Sequence, residues 1–216
     1  MTLGRAHLMA ALLVGAAMKL SGHALCVTVE TGGDRSIPAI TVFASRMTAM
    51  RVFGGAGISV DFVSAGAARK RTDCVLIRVE FVPNAPACAS PSALAYALPY
   101  QHGGTQIRVF LDRALGSGSA TQTGIRLGYV VSHEIGHILE GIARHSESGV
   151  MKASWNNHDF GQMLMQALRF EREDVELMRE GVEVLRARAG GCQAMGDCRE
   201  SLPAGVAGGN DLFVTR

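Results

Sequence analysis

The sequence predicts an α+β domain in which a small mixed β-sheet packs on one buried helix and a helical C-terminal part follows. Three observations carry that expectation. Strand-like alternation and β-branched runs concentrate between residues 36 and 115. The stretch 125–141, IRLGYVVSHEIGHILEG, has few charges and apolar residues around most of its helical surface, so it belongs in an interior. Beyond it, FGQMLMQALRF and EDVELMREGVEVLRAR show the spacing of amphipathic helices.

Residues 1–24 come first and stand apart from the fold. The basic opening MTLGRAH precedes the apolar run LMAALLVGAAM, and Gly22 and Ala24 offer small residues for cleavage. That is the layout of a secretory signal peptide, and the run is too short to span a bilayer. Cleavage after Ala24 is expected, leaving a domain over 25–190 and a glycine-rich tail over 191–216, secreted or periplasmic. The alternative is an N-terminal helix packed on the domain.

Residues 36–43, SIPAITVF, read as a strand or its approach, and 44–57 as a short helix that stops at glycines. ISVDFV, residues 58–63, alternates as a strand, and 74–82, CVLIRVEFV, is the strongest strand pattern in the chain. VPNAPACASPS is a loop by its prolines and serines. ALAYALP, residues 93–99, reads as an edge strand ended by Pro99, and 105–115 as a strand with Ile107, Val109 and Leu111 on one face. GSGSATQTG, residues 116–124, is a flexible connection into the greasy helix, which Gly141 ends as a left-handed cap. Asp159 with Gln162 resembles a capping box opening residues 160–170, and a second amphipathic helix covers 173–188. From Gly190 the chain has no periodicity and is expected to be loosely ordered.

With 216 residues, 48% of them apolar and 19% charged, the chain can bury the core of one domain. Removing residues 1–24 lowers Lys plus Arg from 21 to 19, equal to the 19 acids. No basic stripe or charge run points to nucleic acid, and no second apolar segment is long enough to cross a membrane. Export permits disulfides. Cys192 with Cys198 and Cys74 with Cys88 are the expected pairs, leaving Cys26 over; there is no C-x-x-C of a zinc ribbon.

The chemistry concentrates in residues 133–137, HEIGH. On a helix, residues four apart stand one above the other, so His133 and His137 can offer two imidazole nitrogens to one zinc ion. Glu134 points about 100° away round the helix. It suits the general base that takes a proton from a zinc-bound water rather than a ligand. A third ligand is then required. Gly141 lets the chain turn, and His145 follows where it can fold back to the metal.

HEIGHILEGIARHSESGVM resembles the zinc-binding segment of the metzincin clan of metallopeptidases. The resemblance implies His133, His137 and His145 as ligands of one zinc per chain, Glu134 as the base, Gly141 as the turn and Met151 as a methionine floor. Gly141 and His145 come one and two residues later than the clan's usual spacing, and no tyrosine follows the methionine turn. A surface loop absorbs two extra residues at little cost.

Other residues carry alternatives. Glu171, Glu173 or Asp174 is the alternative third ligand, while His158 and Asp159 read as a loop residue and a helix cap. Trp155 either walls a substrate pocket or anchors the core. Ala95, Tyr96 and Ala97 either pair with an extended substrate or form an ordinary strand. The expected function is that of a secreted zinc metallopeptidase with a peptide or protein substrate. The alternative is an exported, non-catalytic binding domain holding a structural zinc in a closed four-ligand site, with Cys26 as an extra ligand.

Overall fold

The computed structural model describes residues 25–66, 73–98, 105–194 and 213–215, the last six residues of 105–194 and all of 213–215 by backbone alone. The expected signal peptide, residues 1–24, lies outside them. Alternation builds the sheet. In β3, Val75–Val82, the side chains of Val75, Ile77, Val79 and Phe81 enter the core while Arg78 and Glu80 face outward. Parallel neighbours flank it: β1, Cys26–Gly32, with β2, Ser59–Ser64, beyond, and β5, Gln106–Phe110, on the other side. Then β4, Ala95–Leu98, and β6, Phe213–Thr215, add antiparallel strands. Among the described residues the order is β2-β1-β3-β5-β4-β6. On the outward face the register sets Glu30 opposite Arg78 and Glu80 opposite Arg108, with ion pairs of 3.0 and 3.1 Å. Such exposed pairs are worth little energy but suit a solvated face.

The other face is covered by helices α1, Ala39–Gly55, and α3, Ala120–Glu140. They cross closely at Gly124 and Gly128. A Cβ at Gly128 would lie 2.6 Å from the Ser45 carbonyl oxygen and from Thr48 Cβ. A one-turn helix α2, Leu111–Ala114, precedes α3, and α4, Asn157–Leu164, and α5, Arg172–Ala194, follow it. Phe53, Tyr129, Ile135, Leu139, Met151 and Met178 belong to one core cluster shared by sheet and helices. The α+β fold class with a buried central helix is as the sequence predicts. No helix among the described residues is long and apolar enough to cross a membrane.

Several elements differ from expectation. Residues 39–43 are helical rather than extended, because Pro38 caps α1 and Thr41, Ala44, Ser45 and Thr48 bury against α3. Packing outweighs the β-branched preference there. β1 is a strand the sequence pattern does not single out. β5 stops at Phe110, with Leu111 already in α2. Part of the expected flexible connection is the start of α3. Ser119 Oγ accepts from Gln122 N–H at 3.2 Å and Gln122 returns the bond to Ser119 N–H at 3.0 Å. The next box also shifts: Asn156 is the cap of α4, and Asp159, its third helical residue, accepts from Asn156 N–H at 2.8 Å. β4 is not the sheet's edge, since β6 pairs on its outer side. Finally, the backbone of α5 runs to Ala194, past the expected start of the tail.

The cysteines pair differently. Cys26 and Cys74 form a disulfide with Cα atoms 4.9 Å apart, and Cys88 is an exposed free thiol. An extended strand of this length spans about 26 Å, so it carries Cys88 far from Cys74. Parallel pairing of β1 with β3 instead brings Cys26 beside Cys74. The Cys192–Cys198 pairing lies outside the described side chains.

Candidate metal centre

α3 carries His133, Glu134 and His137, each fully buried. Their four-residue spacing brings His133 Nε2 and His137 Nε2 to 2.9 Å. Two ligands at that separation subtend about 90° at an ion roughly 2.0–2.1 Å from each. His133 Nδ1 donates to the Val150 carbonyl at 2.8 Å, which fixes the tautomer and leaves Nε2 as the acceptor.

Gly141 closes the helix with φ 68°, its N–H bonded to the His137 carbonyl at 3.0 Å. From there the chain folds back. The His145 ring lies 5.3 Å from that of His133 and 4.8 Å from that of His137, centroid to centroid. One donor nitrogen from each of the three falls within 4.8 Å of the others. His145 is exposed, so the cluster opens to solvent on its side.

Burial pushes His133 down to about 3, with the nearby His145 adding to the shift, although the Val150 hydrogen bond opposes it. Burial also pushes His137 down to about 2, reinforced by His133 and His145. Both rings are therefore neutral at ordinary pH and offer lone pairs without losing a proton first. Three imidazoles with no acid among them are a donor set that fits zinc.

The methionine turn lies under this helix. Met151 is fully buried, and a Cβ at Gly136 would overlap its sulfur. Only glycine at position 136 lets the sulfur rest directly on the histidine-bearing turn. Trp155 is a buried anchor: its ring meets His133 edge-on at 5.4 Å and its Nε1–H donates to the Gly149 carbonyl at 3.4 Å.

The alternative ligands lie elsewhere. Asp174 and Glu173 accept from Arg144 at 2.8 and 2.6 Å, and Glu171 accepts from Ser148. His158 is exposed and accepts from the Gln162 amide at 3.1 Å, and Asp159 pairs with Lys152 at 2.6 Å. Cys26 is committed to its disulfide and has no thiolate to offer. Ala95 and Ala97 point into the main core, and Tyr96 packs on Phe110 at 5.2 Å on the opposite face. Their backbone, not their side chains, faces β6.

Several contributors escape sequence reasoning. Gly136 and the Val150 carbonyl are two, and Asp174, as a partner of the His145 loop, is another. Glu140 also belongs here: burial, then the neighbouring Asp174, pushes its carboxyl up to about 8, against the pull of Arg144. Its ion pair with Arg144 is long, 3.8 Å.

No family model matches the chain, and no curated protein matches it. Among solved structures it is similar to the crystal structure of archaemetzincin from Methanopyrus kandleri, at 15% identity and a TM-score of 0.48, over 76% of this chain and 98% of that one.

Proposed function

We propose that this chain is an exported, metzincin-like zinc metallopeptidase that binds one zinc through His133, His137 and His145 and hydrolyses peptide bonds with Glu134 as general base. The convergence of three imidazole nitrogens, two of them on the helix that also carries the buried carboxylate of Glu134, carries the reading. Zinc supplies Lewis acidity when bound, lowering the pKa of a water to about 7. The chain's own groups do the rest. His133 and His137 arrive neutral and oriented, the first by its bond to Val150. Glu134 sits one residue along the helix from His133, placed to accept a proton as water attacks a carbonyl and to return it to the leaving amine. The solvent-open side at His145 is where a substrate can approach.

The Cys26–Cys74 disulfide supports export, since such bonds persist mainly in oxidising compartments. It also removes Cys26 as the fourth ligand of a closed site, which favours catalysis over a structural ion. The alternative, an exported binding domain without turnover, has one observation on its side: β6 already fills the pairing edge of β4.

The test is metal content together with turnover of a mixed peptide library. The purified chain is expected to hold one zinc. Glu134→Ala should keep it and lose turnover by at least about 100-fold. His137→Ala should lose the metal itself. A Glu134→Ala variant as active as the parent overturns the mechanism.

A further inference from the structure

The loop that carries His145 is neither helix nor strand, and its histidine is exposed. Something must hold that ring opposite the two on α3. The residues on either side of it end on a single atom: Arg144 Nη1 donates to Asp174 Oδ1 at 2.8 Å, and Ser146 Oγ donates to the same oxygen. Arg144 and Ser146 both reach Asp174, while the ring of His145 between them lies against those of His133 and His137.

Asp174 is well placed to act as an anchor. It is fully buried in the first turn of α5, and its second oxygen accepts the Glu171 N–H at 2.8 Å. Its position is therefore fixed by the helix, not by the loop it holds. The loop is tied at two further points: Arg144 reaches Glu173 at 2.6 Å, and Ser146 N–H donates to the Met151 carbonyl at 2.9 Å. The buried anchor and the methionine turn thus grip the same short segment from two sides.

We propose that Asp174 is a positioning residue for the metal centre, holding His145 at the third corner through Arg144 and Ser146 before any ion arrives. This rests on the zinc reading above. It also assigns a task to an acid that sequence alone offers as a rival ligand, and it explains how a Gly–His segment two residues longer than usual still delivers its ring. A plain capping role in α5 would predict lost stability and nothing specific to the metal.

A zinc titration against a chromophoric chelator separates the two, using the full chain, Asp174→Ala, His145→Ala and the double variant, with the fold of each metal-free protein followed by circular dichroism. Asp174→Ala is expected to weaken zinc binding about 10–100-fold, the range for losing a group that orients a ligand. In the His145→Ala background the same change should weaken it no further. Ser146→Ala, which leaves the contact of Asp174 with α5 intact, should weaken zinc severalfold and serves if Asp174→Ala does not fold. Unchanged affinity in Asp174→Ala and Ser146→Ala, or a loss that adds in full to that of His145→Ala, overturns the proposal. If the parent takes up no zinc, the metal reading fails first and the positioning role falls with it.

Discussion

Glu140, His133 and His137 stand within two helical turns of one another and are shifted in opposite senses by the same cause, burial. The consequence is a stability profile whose signs can be worked out. Glu140 titrates at 4.5 when unfolded and near 8 when folded, so the stability it contributes is complete below 4.5 and is lost as pH rises through 8. The histidines titrate at 6.5 when unfolded and near 3 and 2 when folded, so theirs is complete above 6.5 and is lost as pH falls. Between 4.5 and 6.5 two histidines outweigh one glutamate and stability climbs; above 6.5 only the glutamate slope remains. For these three groups the metal-free protein is most stable near pH 6.5. Glu140→Gln is expected to flatten the fall between pH 6.5 and 8, to steepen the climb between 4.5 and 6.5, and to leave the profile below 4.5 parallel to the parent's, measured as urea midpoints of the metal-free protein against pH. Parallel profiles for parent and variant above pH 6.5 would contradict the buried-acid assignment.

At the scale of elements, α3 does two tasks that compete for its surface. One face carries the histidines and another must pass close to α1, and glycine makes the close pass possible. Gly128→Ala gains up to about 1 kcal/mol of helix propensity, but its Cβ meets the Ser45 backbone oxygen at 2.6 Å, which cannot rotate away. Overpacking of this kind costs about 1–3 kcal/mol, so with the full propensity gain set against it a net loss of up to about 2 kcal/mol is expected in urea denaturation. Gly54→Ala in α1, where an added Cβ meets nothing within 4 Å, should be neutral or stabilising and is the control. The same distinction between local and non-local signals explains what the sequence discloses. HEIGH and Gly141 are legible because helical spacing and a left-handed cap are set within a few residues. β3 is legible because its alternation is sharp. Residues 39–43 mislead because their β-branched character is local while the reason for their helix, burial on Gly124 and Gly128, lies about 80 residues away. The partner of Ser146 is equally hidden, 28 residues on in α5. Cys74 could be paired only once β1 was known to lie beside β3.

At the scale of the whole molecule, the last described residues return to β4, the strand along which an extended peptide would pair if the chain has the proposed function. Residues 213–215 pair antiparallel with 95–97, in the register Ala95 opposite Thr215 and Ala97 opposite Phe213, and β6 also touches α3. An extended peptide bound along β4 would need the same backbone N–H and C=O groups, so peptide and β6 exclude one another. Three residue pairs supply only a few hydrogen bonds, each worth about 1 kcal/mol net, so β6 is a weak competitor and not a permanent seal. Deleting residues 213–216 should therefore lower KM for peptides by about 5–30-fold, the equivalent of 1–2 kcal/mol, and leave kcat nearly unchanged. The deletion leaves Glu134 and the three histidines in place, so on the proposed function metal content should hold at one zinc. Steady-state kinetics of the full and shortened chains on the same peptide decide the matter. An unchanged KM would mean that substrate does not use the outer edge of β4, and Ala95, Tyr96 and Ala97 would then be no more than the sheet's packing against its own C-terminal strand.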